Sequence, residues 1–172
     1  MKSTVAAFVF GHTATEKFWK HRNKLASKNV IARAYHMICY QRMLSKNQAW
    51  ISSEAFISAP FNLPHGLSGI FVSSGAAIGE GCTVFHQVTI GSNTLKDSEM
   101  SGAPILGNNV YIGVGAKIIG NVKIGNNVRI GANCVVVQDI PDNSTVVMNK
   151  PRIIGHKEAR DNAFVHYNLS KE

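Results

Sequence analysis

Between Val72 and Val136 an aliphatic residue returns at every sixth position: Val72, Ile78, Val84 and Ile90, then, after an interruption, Leu106, Ile112, Ile118, Ile124, Ile130 and Val136. Four residues beyond these positions the chain is again small or aliphatic, at Ala76, Cys82, Val88, Val110, Ala116, Val122, Val128, Cys134 and Ile140. Glycine directly follows the aliphatic at Gly79, Gly91, Gly107, Gly113, Gly125 and Gly131. A helix face repeats near 3.6 residues and a half-buried strand alternates with a period of two, so neither produces a sustained six. The pattern predicts a solenoid of short parallel strands, each too small to bury its own face and dependent on its neighbours for a core.

The frame extends back through Leu63 and Ile57 to Ile51, but Leu63 and Val72 are nine residues apart, with Pro64-His65-Gly66-Leu67-Ser68-Gly69 between them. A second break separates Ile90 from Leu106. Residues 92–105 are polar and lack the repeat, which predicts a projecting loop, and loops on a rigid scaffold concentrate binding and catalytic residues. The pattern decays at Asp139-Ile140-Pro141-Asp142-Asn143, with a last strand expected over Ser144 to Met148. Three regions follow: an N-terminal cap (1–50), the solenoid (51–148) and a tail (149–172) with a short helix expected from His156 to about Asn168.

Charge is concentrated in the first region. Residues 1–50 hold nine Lys and Arg and one acid, Glu16, and so carry the whole formal charge of +8, while the remainder is balanced. A basic cap predicts an anionic neighbour, either a membrane surface, an acidic glycan or a nucleotide-bearing ligand, or else simply a solvated helical face. No nucleic-acid-binding motif accompanies it. Thr13 and Glu16 read as a capping box opening a helix to about Ser27, with Phe18, Trp19, Arg22 and Leu25 as a partly apolar stripe. A second helix is expected from Val30 to about Ser45, with Ile31, Ala34, Tyr35, Ile38 and Met43 on one face. This helix pair is expected to cover the open end of the solenoid, whose strand edges would otherwise be unpaired.

No apolar run approaches the ~20 residues of a membrane span, and the opening ten residues lack the ~7–15-residue apolar core of a secretory signal. Three cysteines without metal-type spacing do not make a disulfide framework, and Cys82 and Cys134 fall at inward-pointing positions. These features fit a cytoplasmic protein, with its basic end available to the inner face of the membrane.

Phe-His-Gln-Val-Thr-Ile-Gly (85–91), Ile-Gly-Val-Gly-Ala-Lys-Ile-Ile-Gly-Asn (112–121), Ile-Gly-Asn-Asn-Val-Arg-Ile-Gly-Ala-Asn (124–133) and Asp-Ile-Pro-Asp-Asn-Ser (139–144) together resemble the hexapeptide-repeat acyltransferases, most nearly their serine acetyltransferase-like branch. The resemblance covers about residues 50–153. It implies a left-handed parallel β-helix with three hexapeptides per coil. The handedness is the family's, since ordinary parallel crossovers are right-handed. It also implies a homotrimer with acetyl-CoA, the co-substrate, lying between neighbouring prisms.

In that branch a histidine lies two residues after an in-frame aliphatic, as His65 lies after Leu63, followed as in the family by Gly69-Ile70. A thioester is already activated, so the element to be supplied is a base for the attacking hydroxyl, and imidazole, with an ordinary pKa near 6.5, suits that task at neutral pH. The alternative for His65 is an ordinary turn histidine after proline. His86 also lies two residues after an aliphatic and should face outward. It is a candidate contact for the acceptor, or a surface or subunit-packing residue. Gly91, Ser92, Gly113, Val114, Gly115, Gly131 and Ala132 are similar to the family's cofactor-lining positions, although glycine is also what tight prism turns require. Lys150 and Arg152 flank Pro151 in the position of the family's closing segment, as partners for CoA phosphates.

Two departures bear on the acceptor. Trp50 stands where serine acetyltransferases have the aspartate that orients the catalytic histidine, leaving Glu54 or a main-chain carbonyl for that role. Ala103-Pro104 replaces their His-Pro, and the long N-terminal helical domain shrinks to about fifty basic residues. These changes favour a sugar or polysaccharide hydroxyl as acceptor, with serine as the alternative and a non-catalytic scaffold as a further one. Metal-dependent hydratases on the same solenoid need three gathered histidines. Only His65 and His86 lie within this one, so no metal is expected.

Overall fold

The computed structural model describes residues 12–163, with side chains from Ala14 onward. The six-residue period becomes thirteen short strands: β1 (Trp50–Ile51), β2 (Phe56–Ile57), β3 (Phe71–Val72), β4 (Ala77–Ile78), β5 (Thr83–Val84), β6 (Thr89–Gly91), β7 (Ile105–Leu106), β8 (Tyr111–Ile112), β9 (Lys117–Ile119), β10 (Lys123–Ile124), β11 (Arg129–Ile130), β12 (Val135–Val136) and β13 (Thr145–Val146). They form three parallel sheets, ordered β1-β3-β6-β9-β12, β2-β4-β7-β10 and β5-β8-β11-β13. Successive strands therefore belong to successive faces of a three-sided prism. Val72 pairs with Ile90, and Ile118 with Val136, eighteen residues apart in each case, which is three hexads per coil.

Every in-frame aliphatic from Val72 to Val136 is buried, as are Ala76, Cys82, Val88, Val110, Ala116, Val122, Val128 and Cys134 at the plus-four positions. The hexad thus encodes two inward contacts per side, one from the strand and one from the corner. Burial also pushes the Cys82 thiol above its ordinary pKa, which makes it a packing residue rather than a nucleophile. One corner of the prism is held by asparagines: Asn109, Asn127 and Asn143 all adopt left-handed backbone, with φ of 54°, 57° and 59°. Asparagine tolerates that conformation better than most residues. Their amides form a ladder, Asn109 donating to Asn127 at 2.9 Å and Asn127 to Asn143 at 3.0 Å.

Two helices cover the first coil: α1 (His12–Asn23), continued by a 3₁₀ turn (Lys24–Ala26), and α2 (Val30–Lys46). Helix α1 already includes His12 and Thr13, so Thr13 lies within it and is not its N-cap. For α2 the cap is Asn29, whose side chain accepts from the Ala32 N–H at 3.0 Å. The anticipated inner face of α2 is wrong. Ile31, Tyr35 and Ile38 are exposed, and Ala34 with them. Tyr40 and Leu44 are buried instead, with Met37 and Met43 partly so. The physical reason is a polar anchor that hydropathy does not register: the Tyr40 hydroxyl donates to the Ile51 carbonyl at 2.6 Å, setting the rotation of α2 on the first strand. The stripe on α1 is as expected, with Phe18 and Trp19 buried and Arg22 donating to the Ala55 carbonyl at 2.6 Å.

Burial raises the Tyr40 phenol to about 12, against a smaller opposing influence from Arg22. The raised value means that the folded state holds this proton more tightly. Its contribution to stability is complete below pH 10 and is lost as pH rises toward about 12. Thermal midpoints measured across that window should fall more steeply for the wild type than for Tyr40→Phe. Parallel curves would show that the phenol is not linked to folding.

The 92–105 segment leaves the prism but is pinned at its base, where Asn93 and Gly102 exchange backbone hydrogen bonds of 2.8 and 2.9 Å and Met100 accepts from the Asn121 N–H at 3.0 Å. Its last residue, Ile105, already belongs to β7. The expected C-terminal helix is absent from residues 156–163, which follow an exposed irregular path, and the rest of that expectation lies outside the described residues. No helix among the described residues is long and apolar enough to cross a membrane.

Candidate active site

The slip in the frame after Leu63 builds a bulged corner. Leu67 and Ile70 turn into the core, while Pro64, His65 and Gly66 stay outside. Gly69, at φ 63°, donates to the Asn47 carbonyl at 3.0 Å and so fastens the bulge to the end of α2. This conformation is one that glycine reaches without the Cβ penalty. Because the first coil carries three extra residues, the equivalent corner of the next coil comes twenty-one residues later, as the pairing of Ile51 with Val72 shows. His86 is that equivalent of His65.

The two rings meet. Their Nδ1 atoms are 2.8 Å apart, with centroids at 4.9 Å and planes tilted by 41°. Phe85 stands edge-on to His65, with centroids at 5.0 Å and planes at 89°, and leans in turn on Tyr111. His65 is exposed and His86 half-buried. In front of His65 lies a cleft of about 650 Å³, walled by Glu16 and Trp19 from α1 and by Pro60, Asn62 and Thr83 from the prism. Trp19 is fixed there by an edge-on contact with Phe61 at 4.7 Å. The helical cap therefore forms one wall of the site as well as closing the solenoid.

The cofactor candidates divide between two corners. Val114-Gly115 and Gly131-Ala132 occupy the same corner as the acceptor candidate His86 on successive coils, joined by hydrogen bonds from Gly115 N–H to the His86 carbonyl at 3.1 Å and from Asn133 N–H to the Val114 carbonyl at 2.8 Å. The chain leaves β13 at this same corner, and Lys150 and Arg152, further along the chain, are exposed. Gly91 and Ser92 lie at the opposite edge of the first sheet, at the base of the loop, where Ser92 donates to the Ser73 hydroxyl at 2.9 Å. One protomer does not bring the two groups together. Gly113 has a structural reason of its own, since a Cβ there would lie 2.7 Å from the Ala132 nitrogen and 2.9 Å from the Ile130 oxygen.

His86, expected as a contact for the acceptor or a surface residue, instead meets His65. Glu54, at the corner after β1, is exposed, and its recorded contact is the local bond from its own N–H to Ser52 Oγ at 3.2 Å. The signal was present in the numbering: a coil lengthened to twenty-one residues places His65 directly beside His86. Among the described residues, no three histidine, cysteine or acidic side chains are gathered so as to hold a metal ion.

Fold and corner geometry together define a hexapeptide-repeat prism with an imidazole pair at one edge. Residues 103–138 match the family of bacterial transferase hexapeptides (six repeats). Serine acetyltransferase from Staphylococcus epidermidis is 30% identical over 162 residues, covering 94% of this chain and 70% of the relative. The enzyme of the same name from Mycobacterium tuberculosis is 32% identical over 150 residues, covering 87% and 60%. Among solved structures, Neisseria gonorrhoeae serine acetyltransferase in complex with serine superposes with a TM-score of 0.62 at 30% identity, covering 83% of this chain and 56% of that one. Serine acetyltransferase from Brucella abortus gives 0.64 at 28% identity, covering 85% and 57%. The chain belongs to the hexapeptide-repeat acyltransferases, in their serine acetyltransferase-like branch, and its fold is their left-handed parallel β-helix. It spans 43%, 60% and 41% of the length of three of the curated relatives it matches.

Proposed function

We propose that the protein is an acetyl-CoA-dependent O-acetyltransferase of the serine acetyltransferase type, with His65 as general base and L-serine as the first acceptor to test. The observation that carries this reading is the exposed His65 ring facing a cleft at one end of a corner edge that continues through Val114, Gly115, Gly131 and Ala132. The acceptor oxygen attacks the thioester carbonyl while its proton passes to His65. A backbone N–H stabilises the tetrahedral oxyanion. Collapse breaks the carbon–sulfur bond, and the CoA thiolate recovers the proton from His65. No acyl-enzyme is needed, and the buried Cys82 and Cys134 take no part.

Coils stack at about 4.8 Å, so the edge from His65 to the last coil runs roughly 19 Å. A pantetheine arm laid along it would bring the CoA phosphates toward Lys150 and Arg152. Gly91 and Ser92 reach the same ligand only from a neighbouring protomer, which fits a homotrimer. Exposed apolar residues on the outer faces, Trp50, Phe71 and Val135 among them, supply surface for that contact. The particle in solution should weigh three times the 18.7 kDa protomer.

A second reading keeps the chemistry and changes the acceptor to a sugar hydroxyl. It is favoured by Trp50 and Ala103-Pro104 in place of the acid and the His-Pro of serine acetyltransferases, and by the basic first fifty residues. The names of the relatives favour serine. Thiol release from acetyl-CoA, measured against serine, monosaccharides and bacterial polysaccharides, distinguishes the two. Serine turnover supports the first reading and glycan-only turnover the second. Failure to bind acetyl-CoA rejects both and leaves a scaffold.

A further inference from the structure

We infer that His86 is the positioning residue for His65, a neutral imidazole taking the place an orienting carboxylate would otherwise fill, so that the pair works as a unit holding a single proton between its facing nitrogens. The inference rests on the proposed role of His65 as base. At 2.8 Å, the two Nδ1 atoms are in hydrogen-bonding contact, and one of them must be the donor and the other the acceptor. Protonating both would aim two N–H groups at one another. With His65 Nδ1–H as donor, His86 accepts on Nδ1 and carries its own proton on Nε2. That arrangement fixes the ring plane of His65 and leaves its Nε2 lone pair free on the side of the ring away from His86. A base in the opposite tautomer would present an N–H to the acceptor and could not remove a proton.

During attack, the acceptor's proton arrives on His65 Nε2 and the Nδ1–H···Nδ1 bond becomes charge-assisted, hence shorter and stronger. No proton need leave the pair until the CoA thiolate takes it back from Nε2, so the proton count balances. His86 is itself held in place. Its carbonyl accepts from the Gly115 N–H at 3.1 Å, and the Lys117 ammonium caps the Gly115 carbonyl at 2.9 Å. Charged and titratable groups around the pair include Lys117 behind His86, Glu16 in the wall of the cleft, and Tyr111 behind Phe85. Neither a second carboxylate nor Glu54 contacts the rings among the described residues. A neutral partner raises the basicity of His65 less than an anion would.

The test is the pH profile of CoA release for wild type, His86→Ala, His86→Gln and His86→Asp, with His65→Ala as reference. His86→Ala should lower kcat about 10–100-fold, the usual cost of losing an orienting partner, with the KM for acetyl-CoA little changed. His86→Gln, whose carbonyl can accept from Nδ1–H, should recover part of that loss, and His86→Asp should move the acid limb of the profile to higher pH. Wild-type kcat in His86→Ala, or a raised acceptor KM alone, would overturn the proposal. If His65→Ala is inactive and His86→Ala is not, this inference fails and the base survives. If His65→Ala is fully active, the parent reading fails with it.

Discussion

Replacing His65 by alanine lowers the rate of CoA release at least ~100-fold, the low end of what a positioned general base contributes, or about 2.7 kcal/mol of transition-state stabilisation. The expectation follows from the chemistry of the step. The thioester is electrophilic enough without help, whereas an alcohol at neutral pH is a poor nucleophile until its proton has somewhere to go. The substitution is structurally mild. The ring is exposed, and its contacts are the His86 nitrogen and the edge of Phe85. Circular dichroism, particle mass and thermal midpoint should therefore match the wild type while kcat falls. A variant that keeps near-normal turnover would remove His65 from the chemistry, and one that loses its fold would show that the bulged corner depends on the ring.

The second large effect is on stability. Ile112 is fully buried in β8 and pairs with Val84 on one side and Ile130 on the other. Ile112→Ala removes a branched side chain from the centre of a stack that cannot close over the gap, because each neighbour is held by its own coil. The expected loss is about 2–5 kcal/mol, read as a drop in the denaturant midpoint. Arg129→Ala, at an exposed strand position one residue before an inward isoleucine, should stay within about 0.5 kcal/mol. Equal losses at the two positions would contradict the alternation of outward and inward residues on which the prism rests. A solenoid also propagates local defects to adjacent coils, since each repeat is stable only against its neighbours. Amide exchange in Ile112→Ala should accordingly quicken in β5 and β11 before it does in β1.

Much of the architecture was legible in the residue order because the information is local and repeated. A position that recurs every six residues along the chain has the same neighbours in every coil, so Val72 and Val136 obey one rule. The exceptions mark where that regularity stops. The face of α2 was misjudged because its orientation depends on one hydroxyl, Tyr40, reaching one carbonyl, Ile51. No helix forms over residues 156–163, because short amphipathic patterns outside the solenoid have no neighbouring coil to enforce them. His65 could be singled out from the slip after Leu63, whereas its pairing with His86 emerges only once that slip is counted into a coil of twenty-one residues.

The hexad alone dictated parallel strands, inward aliphatics, and the two interruptions at which a site could stand, since burying those side chains admits no other periodic solution. Only the folded chain decided that the helical cap walls the cleft, that Gly91 and Ser92 lie an edge away from Gly131 and Ala132, and that two histidines twenty-one residues apart share a hydrogen bond. Those outcomes depend on distances across coils and between elements, which composition and spacing do not encode.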